Sequence, residues 1–224
     1  MMRTKSILLL AMMCVMAVVN FASADLVRGI NIDFVTIGNP GNAADTGGTP
    51  GSGAVSYGYR IGKYEVTNAQ WNTFTAAVGR PTGNSNGYNW NSLFTGAQQP
   101  TNNVSWYEAA QFCNYLTSGD KGQGAYQFSG NNTNPGDFLG VNRVAATATY
   151  GTIYVLPTKD EWYKATHYKP DSSGYSLYAN GQITIPTADN GWNYQGGSYL
   201  PPWNVGTGTQ ERNGTFDMMG NVHE

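Results

Sequence analysis

Ile61-Gly-Lys-Tyr-Glu-Val-Thr-Asn-Ala-Gln-Trp71 takes the chain from a strand into a helix. Tyr57 to Val66 is rich in aromatic and β-branched residues, which suit a pleated, half-buried surface. Thr67-Asn-Ala-Gln70 then supplies both halves of a capping box, a hydroxyl for the N3 amide and a side chain that reaches back to the cap. Trp71, Phe74 and Val78 follow at i, i+3 and i+7 and lay one apolar stripe along the helix. The same device recurs downstream. Ser105-Trp-Tyr-Glu108 opens a helix through about Leu116, with Ala109, Phe112, Cys113 and Leu116 on one face. Thr158-Lys-Asp-Glu161 opens another through about His167. The spacing of these starts is irregular, so they do not form a repeat. Trp71, Trp106 and Trp162 each follow a cap closely. They read as core wedges that fix helix entry, with a sugar-stacking platform as the alternative.

Residues 30–37 (Ile-Asn-Ile-Asp-Phe-Val-Thr-Ile) alternate and predict a strand. Ile153-Tyr-Val-Leu156 predicts a short buried one. The connections 38–56, 79–103, 117–150 and 169–215 are dense in Gly, Asn and Pro and predict loops. Short strands are expected within them near 125–128 and 144–150. The fold class is therefore α+β, irregular and loop-rich, with few regular helices and short strands.

Arg3 and Lys5 precede an apolar run from Ile7 to Val19, and Ala22-Ser-Ala24 is a small-x-small cleavage pattern. Residues 1–24 thus read as a signal peptide, and 25–224 as one exported domain, secreted or periplasmic. The run is too short to span a bilayer comfortably, and no later segment is apolar enough. Cys14 leaves with the leader. Cys113 then stands alone, so the mature chain has no internal disulfide. Its place on an apolar helical face predicts a buried structural cysteine. Charged residues are 12% of the chain and net charge is −2, which gives no electrostatic footprint for nucleic acid. Two histidines, His167 and His223, cannot make a three-His zinc site. No phosphate-binding Gly-x-x-x-x-Gly-Lys loop occurs.

The stretch Asn213-Gly-Thr-Phe-Asp-Met-Met-Gly-Asn-Val-His-Glu224 gathers oxygen donors. Asp217 and Glu224 supply carboxylates, and the small residues between them let backbone carbonyls face one point. Hard cations such as Ca²⁺ take six to eight such oxygens.

Four segments in order resemble the formylglycine-generating-enzyme (sulfatase-modifying-factor) family. They are Ile61–Trp71, Pro100-Thr-Asn-Asn-Val-Ser-Trp-Tyr-Glu-Ala-Ala-Gln-Phe-Cys-Asn-Tyr-Leu116, Leu156-Pro-Thr-Lys-Asp-Glu-Trp162, and the Asp217–Glu224 block. The resemblance implies an irregular fold distantly like C-type lectins. It implies structural Ca²⁺ held by Asp217 and Glu224 through side chains and by Gly220 and Val222 through carbonyls. A second site would fall at Asn193 and Tyr194. It also implies the family's activity, oxidation of a cysteine in a sulfatase-like polypeptide to formylglycine with O₂ and a copper ion held by two cysteines. Those cysteines lie downstream of the last block in the family. The chain is thus expected to be the N-terminal portion of such a domain, with copper only if a downstream pair exists. Cys113 is not one of that pair. The alternative function is a non-catalytic extracellular module that binds a peptide or glycan. Edman sequencing of the exported protein is expected to start at Asp25; Met1 retained on cytoplasmic protein would refute the leader.

Overall fold

The computed structural model describes residues 23–83, 87–88, 92–188, 191–194 and 201–222. Most of the expected signal peptide, together with His223 and Glu224, lies outside them. Among the described residues, no helix is long and apolar enough to cross a membrane.

The first strand, β1 (Ser23–Val27), pairs antiparallel with β2 (Ile30–Ile37), which pairs with β3 (Tyr59–Gly62). Arg28 and Gly29 join β1 to β2 with φ of 52° and 83°. Two left-handed central residues are what a twist-matched two-residue hairpin requires, and Gly29 meets that need without strain. The expected cleavage after Ala24 falls inside β1. A chain beginning at Asp25 keeps the pairs Asp25–Ile32, Leu26–Asn31 and Val27–Ile30.

Helices α1 (Asn68–Val78), α2 (Trp106–Ser118) and α4 (Lys159–His167) all begin at complete capping boxes on Thr67, Ser105 and Thr158. At α1, Thr67 Oγ1 accepts from Gln70 N while Gln70 Oε1 accepts from Thr67 N. Lys121, fully buried, donates to the carbonyls of Val78 and Arg80 at 2.8 and 3.0 Å and closes the C-terminal end of α1.

The helix α2 is buried on every side from Ala110 to Thr117, not along one stripe as the spacing predicts. Ile30, Trp71, Phe74, Phe112, Tyr115 and Leu116 pack one core between α2, α1 and β2. Ala110, Cys113, Ala125, Tyr126, Phe128 and Ala146 pack a second on the other side. The second core seats a hairpin, β4 (Tyr126–Phe128) with β5 (Phe138–Val141), and a helix, α3 (Arg143–Tyr150). A third cluster joins Val35 and Ile37 of β2 to Ala165 of α4 and to Met218 in the terminal loop.

Three expectations need correction. Residues 144–150 are helical, because Asn142 caps α3 by accepting from Ala145 N at 2.9 Å. Residues 153–156 form no strand and join no ladder; side chains hold them instead. Thr117 Oγ1 takes Tyr154 N, Tyr126 Oη takes Leu156 N, and Arg143 donates to Leu156 O. Trp71 is a buried wedge at 3% exposure, yet Trp106 is 46% exposed, resting edge-on against Tyr107, Tyr126 and Phe138.

Arg143 ties α3 to α4 through Glu161 at 2.7 Å. Beyond α4 an aromatic box forms. Tyr163 Oη donates to Asp45 at 2.6 Å, and His167 stacks on Tyr163 with centroids 4.5 Å apart. The His167 Nδ1 lies 3.1 Å from the Ser176 carbonyl, which fixes the proton on Nδ1 in the neutral ring. Burial lowers the His167 pKa below 6.5, opposed by the Ser176 carbonyl and the Asp45 charge. A group with a lowered folded pKa stabilises above its unfolded value and loses that contribution as pH falls through the folded one. Urea unfolding is therefore expected to weaken below pH 6.5, by at most about 1.4 kcal/mol per pH unit. In His167→Gln the slope between pH 6.5 and 5 should flatten; an unchanged slope would assign it elsewhere.

Candidate functional site

Residues 211–222 form a loop closed by side chains. Glu211, buried, accepts from Thr215 Oγ1 at 2.8 Å and from Met218 N at 3.1 Å. Asn213 Nδ2 donates to the carbonyls of Ala165 and Tyr168 and moors the loop to the end of α4. Met218 enters the third core. With its neighbour pinned, Asp217 is carried into the interior at a φ of 60°. A left-handed aspartate is one of the few non-glycine residues that tolerate this region.

Asp217 is 5% exposed, and its Oδ2 has no hydrogen-bond partner. Burial raises its pKa, opposed only by the backbone N–H of Gly206. A buried carboxylate oxygen without a donor is costly as an anion. The position thus suits either a proton or a cation.

The two sites expected from the resemblance share one junction. Asn221 N donates to the Asn193 carbonyl at 2.9 Å. Asn193 Nδ2 donates to Asn221 Oδ1 at 3.1 Å, and Trp203 N donates to the same oxygen at 2.7 Å. Gly220, at φ 117°, lies so close that a Cβ there would overlap the Asn193 carbonyl, so only glycine fits. The neighbouring loop reaches Asp217 as well: a Cβ on Gly208 would lie 2.6 Å from the Gly191 carbonyl and 3.7 Å from Asp217 Oδ1. Asp217, Gly220, Val222, Asn193 and Tyr194 are thereby placed in one junction of two loops. Glu224 lies outside the described residues.

Sequence reasoning missed Glu65. Its carboxylate accepts from Asn221 Nδ2 at 2.6 Å and from Val222 N at 3.3 Å, so it anchors the terminal loop to the connection between β3 and α1. Its signal was present in the Tyr-Glu-Val-Thr-Asn motif, where periodicity accounts for every residue except this acid.

Cys113 is buried as expected, and burial pushes its thiol up to about 12, against a small opposing pull from Arg143. Among the described residues, no group of three or more His, Cys, Asp or Glu side chains lies together to hold a metal. Among the described residues, a cation at Asp217 would thus rely mostly on neutral oxygens such as backbone carbonyls, which Ca²⁺ accepts and Zn²⁺ does not favour.

Three comparisons bear on this geometry. The family model for the sulfatase-modifying factor enzyme 1-like domain (FGE-sulfatase) matches residues 33–224. A curated protein from Paenibacillus barcinonensis, "Chaperone protein LppX", is 27% identical over 184 residues, 74% of this chain. The alignment spans 60% of that relative's length. A solved structure, "Crystal Structure of CarF", superposes at a TM-score of 0.51 with 19% identity, over 83% of this chain and 76% of that one. That likeness concerns the fold.

Asn221→Ala is expected to cost about 2–4 kcal/mol in urea unfolding, since it frees several partly buried partners at once. Glu65→Gln should cost less, because the amide oxygen can keep one of its two bonds. A loss under about 0.5 kcal/mol in Asn221→Ala would show that the junction does not hold the loops together.

Proposed function

The chain belongs to the sulfatase-modifying factor enzyme 1-like family, and on that scaffold we propose an exported polypeptide-recognition domain whose terminal loop is held by Ca²⁺. The observation that carries the recognition reading is the surface of β5 and α3, where Leu139, Val141, Asn142, Val144, Thr149 and Tyr150 face solvent with no charge among them. Cys113 is buried, with its thiol pushed up to about 12, and takes no part in that surface. The relative named as a chaperone supports a domain that engages a polypeptide. The test is fluorescence anisotropy of a labelled, reduced, unfolded polypeptide. Saturable binding is expected; no binding at high micromolar protein would overturn the reading.

The family match also favours a second reading, conversion of a cysteine in a sulfatase-like polypeptide to formylglycine. It needs a reactive cysteine pair able to hold copper, and Cys113 is not a member of it. Mass spectrometry of a cysteine peptide after incubation with the protein, O₂ and copper separates the two. An unchanged cysteine with retained binding supports recognition alone, and conversion establishes oxidation.

The Ca²⁺ proposal rests on the unpartnered Asp217 Oδ2 in the loop that meets Asn193 and Tyr194. Asp217 and the Gly220 and Val222 carbonyls would hold the ion, with Glu224 as the second anion, and Ca²⁺ would supply the positive charge that the buried carboxylate lacks. The Asn193 carbonyl keeps a lone pair after accepting from Asn221, and the Tyr194 carbonyl adjoins it. At a hundredfold excess over Kd, binding stabilises by about 2.7 kcal/mol, or roughly 5–11 °C in a domain of this size. Asp217→Asn should abolish that gain. In chelator the raised folded pKa gives the opposite sign. The carboxyl stabilises only below its unfolded value near 3.8, and the contribution is lost as pH rises through the folded pKa. At neutral pH without Ca²⁺, Asp217→Asn should therefore melt no lower than the parent. Equal melting of the parent in Ca²⁺ and in chelator would exclude the ion.

A further inference from the structure

Resting on the reading of this domain as a polypeptide binder, we propose that the polypeptide lies in the groove between α3 and the β4–β5 hairpin. Its occupant is an extended, uncharged segment bearing an aliphatic side chain. The groove is open, about 480 Å³, and lies within the roughly 300–1,000 Å³ common for ligand sites. Its walls include Gln123, Gln127, Leu139, Asn142, Thr149 and Tyr150, and none of its lining residues carries a charge. A charged segment would lose hydration there and gain no counter-charge, so the complementary occupant is neutral.

The polar chemistry points to main chain. The side-chain amides of Gln123 and Gln127 are exposed and make no hydrogen bond with the described chain. Asn142 spends Oδ1 on the cap of α3, which leaves Nδ2 as a donor. A carboxamide offers one acceptor and two donors, the complement of a peptide unit. The apolar chemistry points to an aliphatic side chain. The ladder is irregular between Gln127 and Phe128, and Leu139 is the extra residue between partners Gly140 and Phe138. Bulges re-aim side chains, and Leu139 is left 66% exposed in the groove wall. A glycan would instead want open ring faces for stacking. Of the groove's aromatic rings, Tyr126 and Phe128 are buried in the second core, which leaves Tyr150 alone, and one ring is a small platform for a sugar.

The test is anisotropy of a short, capped, labelled peptide of Leu, Thr and Ser, titrated with the full chain. Saturable binding is expected, weakened at least about tenfold by Leu139→Glu and likewise by Thr149→Arg from the opposite wall. Leu26→Glu, at an equally exposed site on β1, should leave binding unchanged, and a peptide with Glu or Lys in place of Leu should not bind. Circular dichroism melts confirm that each variant folds. Peptide binding that both groove variants retain would overturn the groove and spare the polypeptide reading. Failure of any peptide or unfolded polypeptide to bind would overturn both. Displacement of the peptide by a soluble oligosaccharide, or a dimer that Leu139→Glu converts to monomer in light scattering, would assign the groove to a glycan or a second copy and overturn the proposal.

Discussion

Buried asparagine side chains do here what strand ladders do in more regular folds. Long irregular connections leave backbone N–H and C=O groups that burial would orphan. Asn42 Nδ2 donates to Gly53 O at 2.8 Å and its Oδ1 accepts from Val55 N, which closes the loop after β2. Asn68 Nδ2 holds the carbonyls of Phe94 and Gly96. From inside α2, Asn114 accepts from Tyr126 N and donates to Tyr126 O, acting as a one-residue neighbour to β4. Asn213 and Asn221 repeat the device in the terminal loop. A carboxamide is short, neutral and peptide-like, so it satisfies main chain without burying a charge. A chain that is 12% charged and rich in asparagine follows from that use.

The same constraint shapes the site. Asn221 joins Glu65, Asn193 and Trp203, so elements distant in sequence converge where Asp217 turns inward. Asp217 Oδ2 stands out there as a buried oxygen with no donor. The neutral chemistry extends to the surface, where amides and aliphatic groups face the groove beside α3.

The helix starts were legible in the sequence because each capping box is local: a hydroxyl and a carboxamide or carboxylate three residues apart suffice. The third cap was harder. Val144-Ala-Ala-Thr-Ala-Thr-Tyr150 carries residues that favour strands, and the single Asn142 bond outweighs that preference once Ala146 packs on α2. The strand β1 was hidden because its first residues read as a cleavage motif. Ile153–Leu156 forms no strand, because side chains rather than a neighbouring strand take its backbone groups, which no sequence pattern shows. In the site, Asp217, Gly220, Val222, Asn193 and Tyr194 were legible through resemblance. Their meeting was not, since long loops separate them, and Glu65 acts across the whole domain.

Native-state hydrogen exchange tests most directly the claim that asparagine side chains replace ladders. The amides of Val55 and Trp203 lie in loops, yet each donates to an asparagine Oδ1. The account predicts that they exchange as slowly as the amides of α2, through unfolding of the whole domain. Exchange as fast as that of exposed loop amides would contradict it.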